Sequence, residues 1–138
     1  MFQVSVEEEF AAGHALRGYR GKCENLHGHN YKVCVTLEGT ELDDIGLLYD
    51  FSDLKKAIHQ TVGKLDHQFM NDVAPFDRLN PSAENIAKFF YEQITEFLSE
   101  HAHKKSGNGA PESSFCRVQN VKVWETSTTT ATYFPSTT

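Results

Sequence analysis

Apolar and polar residues alternate from the first positions of the chain. Phe2, Val4 and Val6 carry the pattern up to an acidic triplet at 7–9, and Phe10, Ala12, His14 and Leu16 resume it in the same phase. A period of two predicts a strand with one face buried. Gly13 inside that strand marks a bulge or a place where another backbone comes close. The following stretch, RGYRGKCENLHGHN, has no periodicity and is rich in glycine and basic residues, so it predicts a loop. Tyr31, Val33, Val35 and Leu37 then alternate with Lys32, Cys34, Thr36 and Glu38, which predicts a second half-buried strand turning out through 39–46.

The period then changes. Phe51, Leu54, Ile58, Val62 and Leu65 fall at helical spacing, with Asp50 or Ser52 placed to cap the amino end. After a loop with two prolines, Pro81-Ser82 leads into a longer apolar stripe at Ile86, Phe89, Phe90, Ile94, Phe97 and Leu98. Ser82 or Asn80 is positioned as its cap, and Glu84 suits the positive end of the helix dipole. The stretch from His101 to Ser114, with Gly107, Gly109 and Pro111, reads as a surface connection. Period two returns at Val121 and Val123, which share a face with Glu125, and residues 128–134 are β-branched and aromatic. The order strand, strand, helix, helix, strand, strand predicts an α+β fold, a four-stranded antiparallel sheet with two helices packed on one face, as a single domain over 1–138.

Composition narrows the function classes. The 138 residues are 39% hydrophobic and 23% charged, as in a globular domain. Thirteen Lys and Arg against 19 Asp and Glu give a net charge of -6, a poor basis for gripping nucleic acid or an anionic membrane. No apolar run approaches the ~18 residues of a membrane helix, and the acidic start lacks the layout of a signal peptide. Three widely spaced cysteines make no disulfide framework, so a reduced, cytoplasmic protein is expected.

The seven histidines change the picture. His27 and His29 flank Gly28 at the entry to the second strand, and residues i and i+2 on a strand face one direction. His14 closes the first strand, and antiparallel pairing brings it opposite them. Three converging neutral imidazoles suit a divalent transition metal, above all zinc. Gly28 is expected to relieve crowding of the backbone between them. His59, His101 and His103 lack such geometry and are expected to face solvent.

Cys23, four residues before His27 and beside Lys22, has two readings. As a thiolate it completes a closed, structural Cys-His₃ site. Alternatively the fourth position stays open for substrate oxygens and Cys23 serves as a base, its thiolate favoured by the nearby cation and metal. Cys34 alternates within a strand and reads as a packing residue, and Cys116 is given no role. Asp66 beside His67 is either a polar helix end or an acid/base pair in which the carboxylate fixes the imidazole tautomer. Glu125 places a carboxylate where the Val121 and Val123 face asks for an apolar residue, which points to a ligand or an ion partner. A 2-amino-4-oxo pyrimidine ring would satisfy it with two parallel hydrogen bonds. Arg17, Arg20 and Lys22 concentrate positive charge in an acidic chain, consistent with a phosphorylated substrate and equally with a solvated loop.

These residues together resemble the group of 6-pyruvoyl-tetrahydropterin and 6-carboxy-tetrahydropterin synthases. The likeness runs over nearly the whole chain, through FAAGH around His14, C-x-x-x-H-G-H at Cys23 to His29, LDHQFMND at Leu65 to Asp72, PSAEN at Pro81 to Asn85, and VWETSTTTATY at Val123 to Tyr133. The resemblance implies that His14, His27 and His29 hold a zinc ion that binds the side-chain hydroxyls of a dihydropterin. It further implies that Cys23 is the proton-abstracting base, that His67 paired with Asp66 is the second proton carrier, and that Glu125 anchors the pterin ring. Ser82 and Glu84 fall near pocket-lining positions. The implied fold is the tunnelling fold, whose sheets join into a trimeric barrel, with two trimers stacked as a homohexamer.

The three residues between the cysteine and H-G-H resemble the 6-carboxy-tetrahydropterin branch, which feeds queuosine and related deazapurine biosynthesis. The implied reaction takes 7,8-dihydroneopterin triphosphate and water to 6-carboxy-5,6,7,8-tetrahydropterin, acetaldehyde and triphosphate. Glu24 also creates E-x-x-H-G-H, a pattern resembling the branch that makes 6-hydroxymethyl pterin for folate, unless it is a solvated loop carboxylate. The same residues would also suit a 6-pyruvoyl-producing relative, or a purely structural zinc module with Cys23 as fourth ligand.

Overall fold

The computed structural model describes residues 1–18, 26–101 and 116–136. Four strands and two helices follow the order expected from the patterning: β1 (Phe2–His14), β2 (His27–Gly39), α1 (Phe51–Val62), α2 (Ala83–His101), β3 (Cys116–Trp124) and β4 (Thr130–Tyr133). A single 3₁₀ turn, Met70–Asp72, lies between the helices in sequence. The strands form one antiparallel sheet in the order β1-β2-β3-β4. β1 runs without interruption through the acidic triplet, because Glu8 keeps the inward phase while Glu7 and Glu9 stay exposed.

Both helices pack on the face that carries the alternating apolar residues. Phe10 lies between the rings of Tyr31 and Phe90, with centroids 5.2 Å and 5.8 Å away. Val33, Val35, Leu37, Leu54, Ile58, Ile86 and Ile94 complete a fully buried centre. Removing apolar surface on this scale from water is the main term favouring the fold. β3 keeps its inward face across an irregularity: Thr36 pairs with Asn120 but Leu37 pairs with Val118. One extra residue there switches the phase, so that Val118 and Val121 are both buried.

Local signals decide the helix ends. Asp50, not Ser52, caps α1, its Oδ1 accepting from the Ser52 amide at 2.7 Å. Ser82 caps α2, its Oγ accepting from the Asn85 amide at 3.2 Å. Asn80 is spent on Arg17 instead. Gly13 is a site of close approach and not a bulge: its amide donates to the Gln68 carbonyl at 3.0 Å, and the residue forms a bridge with Phe69. Among the described residues, no helix is long and apolar enough to cross a membrane.

Candidate active site

The register of β1 against β2 sets His27 directly opposite His14, and His29 opposite Ala12. All three imidazoles lie on the helix-covered face at one end of the sheet, with ring centroids 4.5–5.1 Å apart. His14 is fully buried. Its Nδ1 donates to the Pro81 carbonyl at 2.7 Å, which leaves Nε2 with its lone pair turned to the His27 Nε2, 2.9 Å away. The Tyr31 hydroxyl also lies 3.1 Å from His14 Nδ1. Burial lowers the pKa of both His14 and His29, favouring the neutral, ligating form.

Glu125 follows the end of β3 and continues its inward face, as the sequence pattern requires. Its destination is more specific than the pattern shows. Oε1 lies 3.2 Å from His14 Nε2 and 3.6 Å from His29 Nε2. His14, His27, His29 and Glu125 each offer one ligand atom, all within 4.8 Å of one another. His29 Nε2 is buried and has no hydrogen-bond partner among the described residues. An orphaned imidazole nitrogen facing two other imidazoles and a carboxylate is costly unless an ion engages it. The donor set therefore fits a divalent transition metal of the zinc type.

A cleft of about 420 Å³ is lined by Ala11, Gly13, Gly28, His29, Asn30 and His67 among others, and His29 is the one member of the His/Glu group among its lining residues. His29 and His67 thus share one cavity. His67 sits in a left-handed backbone conformation, φ 59°, that a non-glycine residue adopts only when its surroundings enforce it. The enforcement is visible: the His67 amide donates to the Ala11 carbonyl at 2.6 Å, and Asp66 Oδ1 accepts from the Ala11 amide at 3.0 Å. The second Asp66 oxygen lies 3.1 Å from His67 Nδ1. The Ala11 amide, followed by His67, holds the Asp66 carboxyl below its ordinary range.

Other expectations need correction. Gly28 does not relieve crowding, since an added Cβ would meet nothing closer than the Ala12 carbonyl at 3.7 Å. Ser82 is a helix cap, and Glu84 is exposed in the first turn of α2. The PSAEN segment reaches the site instead through the Pro81 carbonyl. The exposed Arg17 donates through its guanidinium to the Phe76 carbonyl at 2.9 Å. His101 is half-buried, stacked on Phe97 at 3.9 Å and bonded to its carbonyl, whereas His59 is exposed and pairs with Glu8. Cys34 is half-buried with its thiol pushed up by burial, and Cys116 is a core residue. Arg20, Lys22, Cys23, Glu24 and His103 lie outside the described residues. The sequence reading missed Pro81 and Tyr31; Tyr31 continues the 27, 29, 31 phase and so was open to discovery, whereas a backbone carbonyl carries no residue signature.

A family model described as 6-pyruvoyl tetrahydropterin synthase matches residues 3–136. The chain belongs to this family. It is 38% identical over 102 residues to a 6-carboxy-5,6,7,8-tetrahydropterin synthase of Bacillus subtilis (strain 168), covering 70% of this chain and 68% of that one. A protein of the same description from Haemophilus influenzae is 30% identical over 156 residues, covering 96% of this chain and 99% of its own. In structure the chain is similar to the 6-pyruvoyl tetrahydropterin synthase of Caenorhabditis elegans, with a TM-score of 0.80, 28% identity, and coverage of 98% and 96% of the two chains. The sheet and paired helices are thus those of the family's tunnelling fold.

Proposed function

We propose that this protein is a zinc-dependent 6-carboxy-tetrahydropterin synthase, converting 7,8-dihydroneopterin triphosphate and water to 6-carboxy-5,6,7,8-tetrahydropterin, acetaldehyde and triphosphate for queuosine-type deazapurine biosynthesis. The single observation that carries the reading is the convergence of His14, His27, His29 and Glu125, with the His29 Nε2 buried and without a hydrogen-bond partner among the described residues. The likeness to proteins described as 6-carboxy-5,6,7,8-tetrahydropterin synthases supports this product branch over the pyruvoyl and hydroxymethyl branches.

His14, His27 and His29 hold the ion, and when bound it supplies Lewis acidity to the hydroxyls of the substrate side chain. Asp66 accepts from His67 Nδ1–H, which orients the imidazole and leaves its Nε2 to carry a proton. Cys23 is assigned as the proton-abstracting base, on the strength of the C-x-x-x-H-G-H spacing. Glu125 anchors the pterin ring through the 2-amino group and the neighbouring ring N–H. Its position 3.2 Å from His14 Nε2 favours a second reading in which it is itself a fourth ligand. The protein acts in the cytoplasm as a homohexamer, with neither nucleic acid nor membrane as a partner; family membership and the acidic net charge support this.

The test is incubation of the zinc-loaded protein with dihydroneopterin triphosphate and identification of the pterin formed. The 6-carboxy product with stoichiometric acetaldehyde supports the proposal. A 6-pyruvoyl or 6-hydroxymethyl product moves the protein to another branch, and no turnover returns it to the structural zinc module.

A further inference from the structure

β1 loses its ladder partner after His14, yet the next residues are not left unpaired. Asn71 grips Ala15 with both ends of its amide: Oδ1 accepts from the Ala15 amide at 2.9 Å, and Nδ2 donates to the Ala15 carbonyl at 2.8 Å. Asn80 grips Arg17 in the same way, at 2.9 Å for each bond. A side-chain amide carries one acceptor and two donors, so each asparagine reproduces what a neighbouring strand would supply to one residue. The two gripped residues alternate, as they would on a strand that continued.

Asn80 is itself anchored to the start of α2, because Asn85 Nδ2 donates to the Asn80 carbonyl at 2.8 Å. The next residue is Pro81, whose carbonyl receives the proton of His14 Nδ1. One dipeptide therefore fixes the chain beyond His14 with its side chain and the imidazole of His14 with its backbone. Asn71 belongs to the LDHQFMND segment and Asn80 directly precedes PSAEN. The proposed chemistry uses neither asparagine.

We propose that Asn71 and Asn80 are positioning residues for the metal ligand His14: by gripping the backbone at Ala15 and Arg17 they keep its Nδ1 against the Pro81 carbonyl and its Nε2 aimed at His27 and His29. The inference rests on the proposed metal centre and adds to it the residues that tune its affinity. Outer groups that orient a ligating histidine typically change metal affinity by about 10–100-fold when removed.

The experiment measures zinc affinity by competition with a chromophoric chelator, together with the ¹⁵N spectrum of the histidine rings, on the full chain. Asn71→Ala and Asn80→Ala are expected to weaken zinc binding by about 10–100-fold, with loss of the protected Nδ1–H signal of His14. Asn80→Asp keeps the bond from the Arg17 amide and loses the one to its carbonyl, so its affinity falls between wild type and Asn80→Ala. A purely structural role would lower the melting temperature and leave zinc affinity within about two-fold of wild type; that result, with the His14 tautomer intact, overturns the inference. Should the alanine variants not fold, wild-type zinc affinity in Asn80→Asp overturns it equally. Failure of the wild-type chain to take up zinc removes the metal centre first, and the positioning role falls with it.

Discussion

Glu125 Oε1 stands 3.2 Å from His14 Nε2, joining the turn after β3 to the end of β1 through the one fully buried imidazole of the group. A carboxylate there has two uses, gripping the pterin or closing the coordination sphere, and Glu125→Gln separates them. As the pterin anchor it loses a charge-assisted pair worth about 1.5–3 kcal/mol, so KM rises by about 10–100-fold with zinc affinity retained. Measured zinc loss with an unchanged KM assigns Glu125 to the metal instead.

Acid should destabilise the metal-free protein. Burial lowers the pKa of His14 and His29 below the 6.5 of the unfolded chain, so between their folded values and 6.5 the unfolded state binds more protons. Stability therefore rises with pH through that window and falls as pH drops below 6.5. Urea unfolding of chelator-treated protein at intervals of pH checks this; a midpoint independent of pH across the window contradicts it.

Asp66 titrates in the other direction. Its carboxyl is held low, first by the Ala11 amide and then by His67, so its stabilising effect is fully present above the ordinary carboxylate pKa. It is lost as pH falls through the lowered folded value. Asp66→Asn removes the charge that orients His67 and should reduce kcat by about 100-fold or more, on the scale of a general acid/base group. The zinc content should stay unchanged. An unaltered kcat would show that the pair is only a hinge.

The core should be separable from the chemistry. Phe90 is fully buried against Phe10 and Phe89, with centroids 5.8 Å and 6.1 Å away. Phe90→Ala should cost about 3–5 kcal/mol by denaturant unfolding. The zinc affinity of the folded fraction should stay at the wild-type value.

The sheet and its helices were legible because each strand buries only one face, so alternation at Phe2 to His14 and Tyr31 to Leu37 had to appear in the sequence. The convergence of the three histidines was legible for the same reason: His27 and His29 share a strand phase, and His14 ends the partner strand. Glu125 could be read as misplaced charge, but its target depends on the bulge in β3 and on where that strand ends, which alternation does not encode. Ser82 illustrates a different limit, since a serine before a helix reads equally as cap and as pocket wall. Pro81, Asn71 and Asn80 act on or through the backbone, between segments more than 50 residues apart in sequence. No local pattern announces such bonds.

The most direct test is the zinc K-edge X-ray absorption spectrum of the loaded, substrate-free protein. Three imidazole nitrogens at about 2.0–2.1 Å, with the remaining scattering from oxygen, are the predicted result. A sulfur scatterer at about 2.3 Å would make Cys23 a ligand in place of a base, and fewer than three imidazoles would dissolve the trio on which the proposed reaction depends.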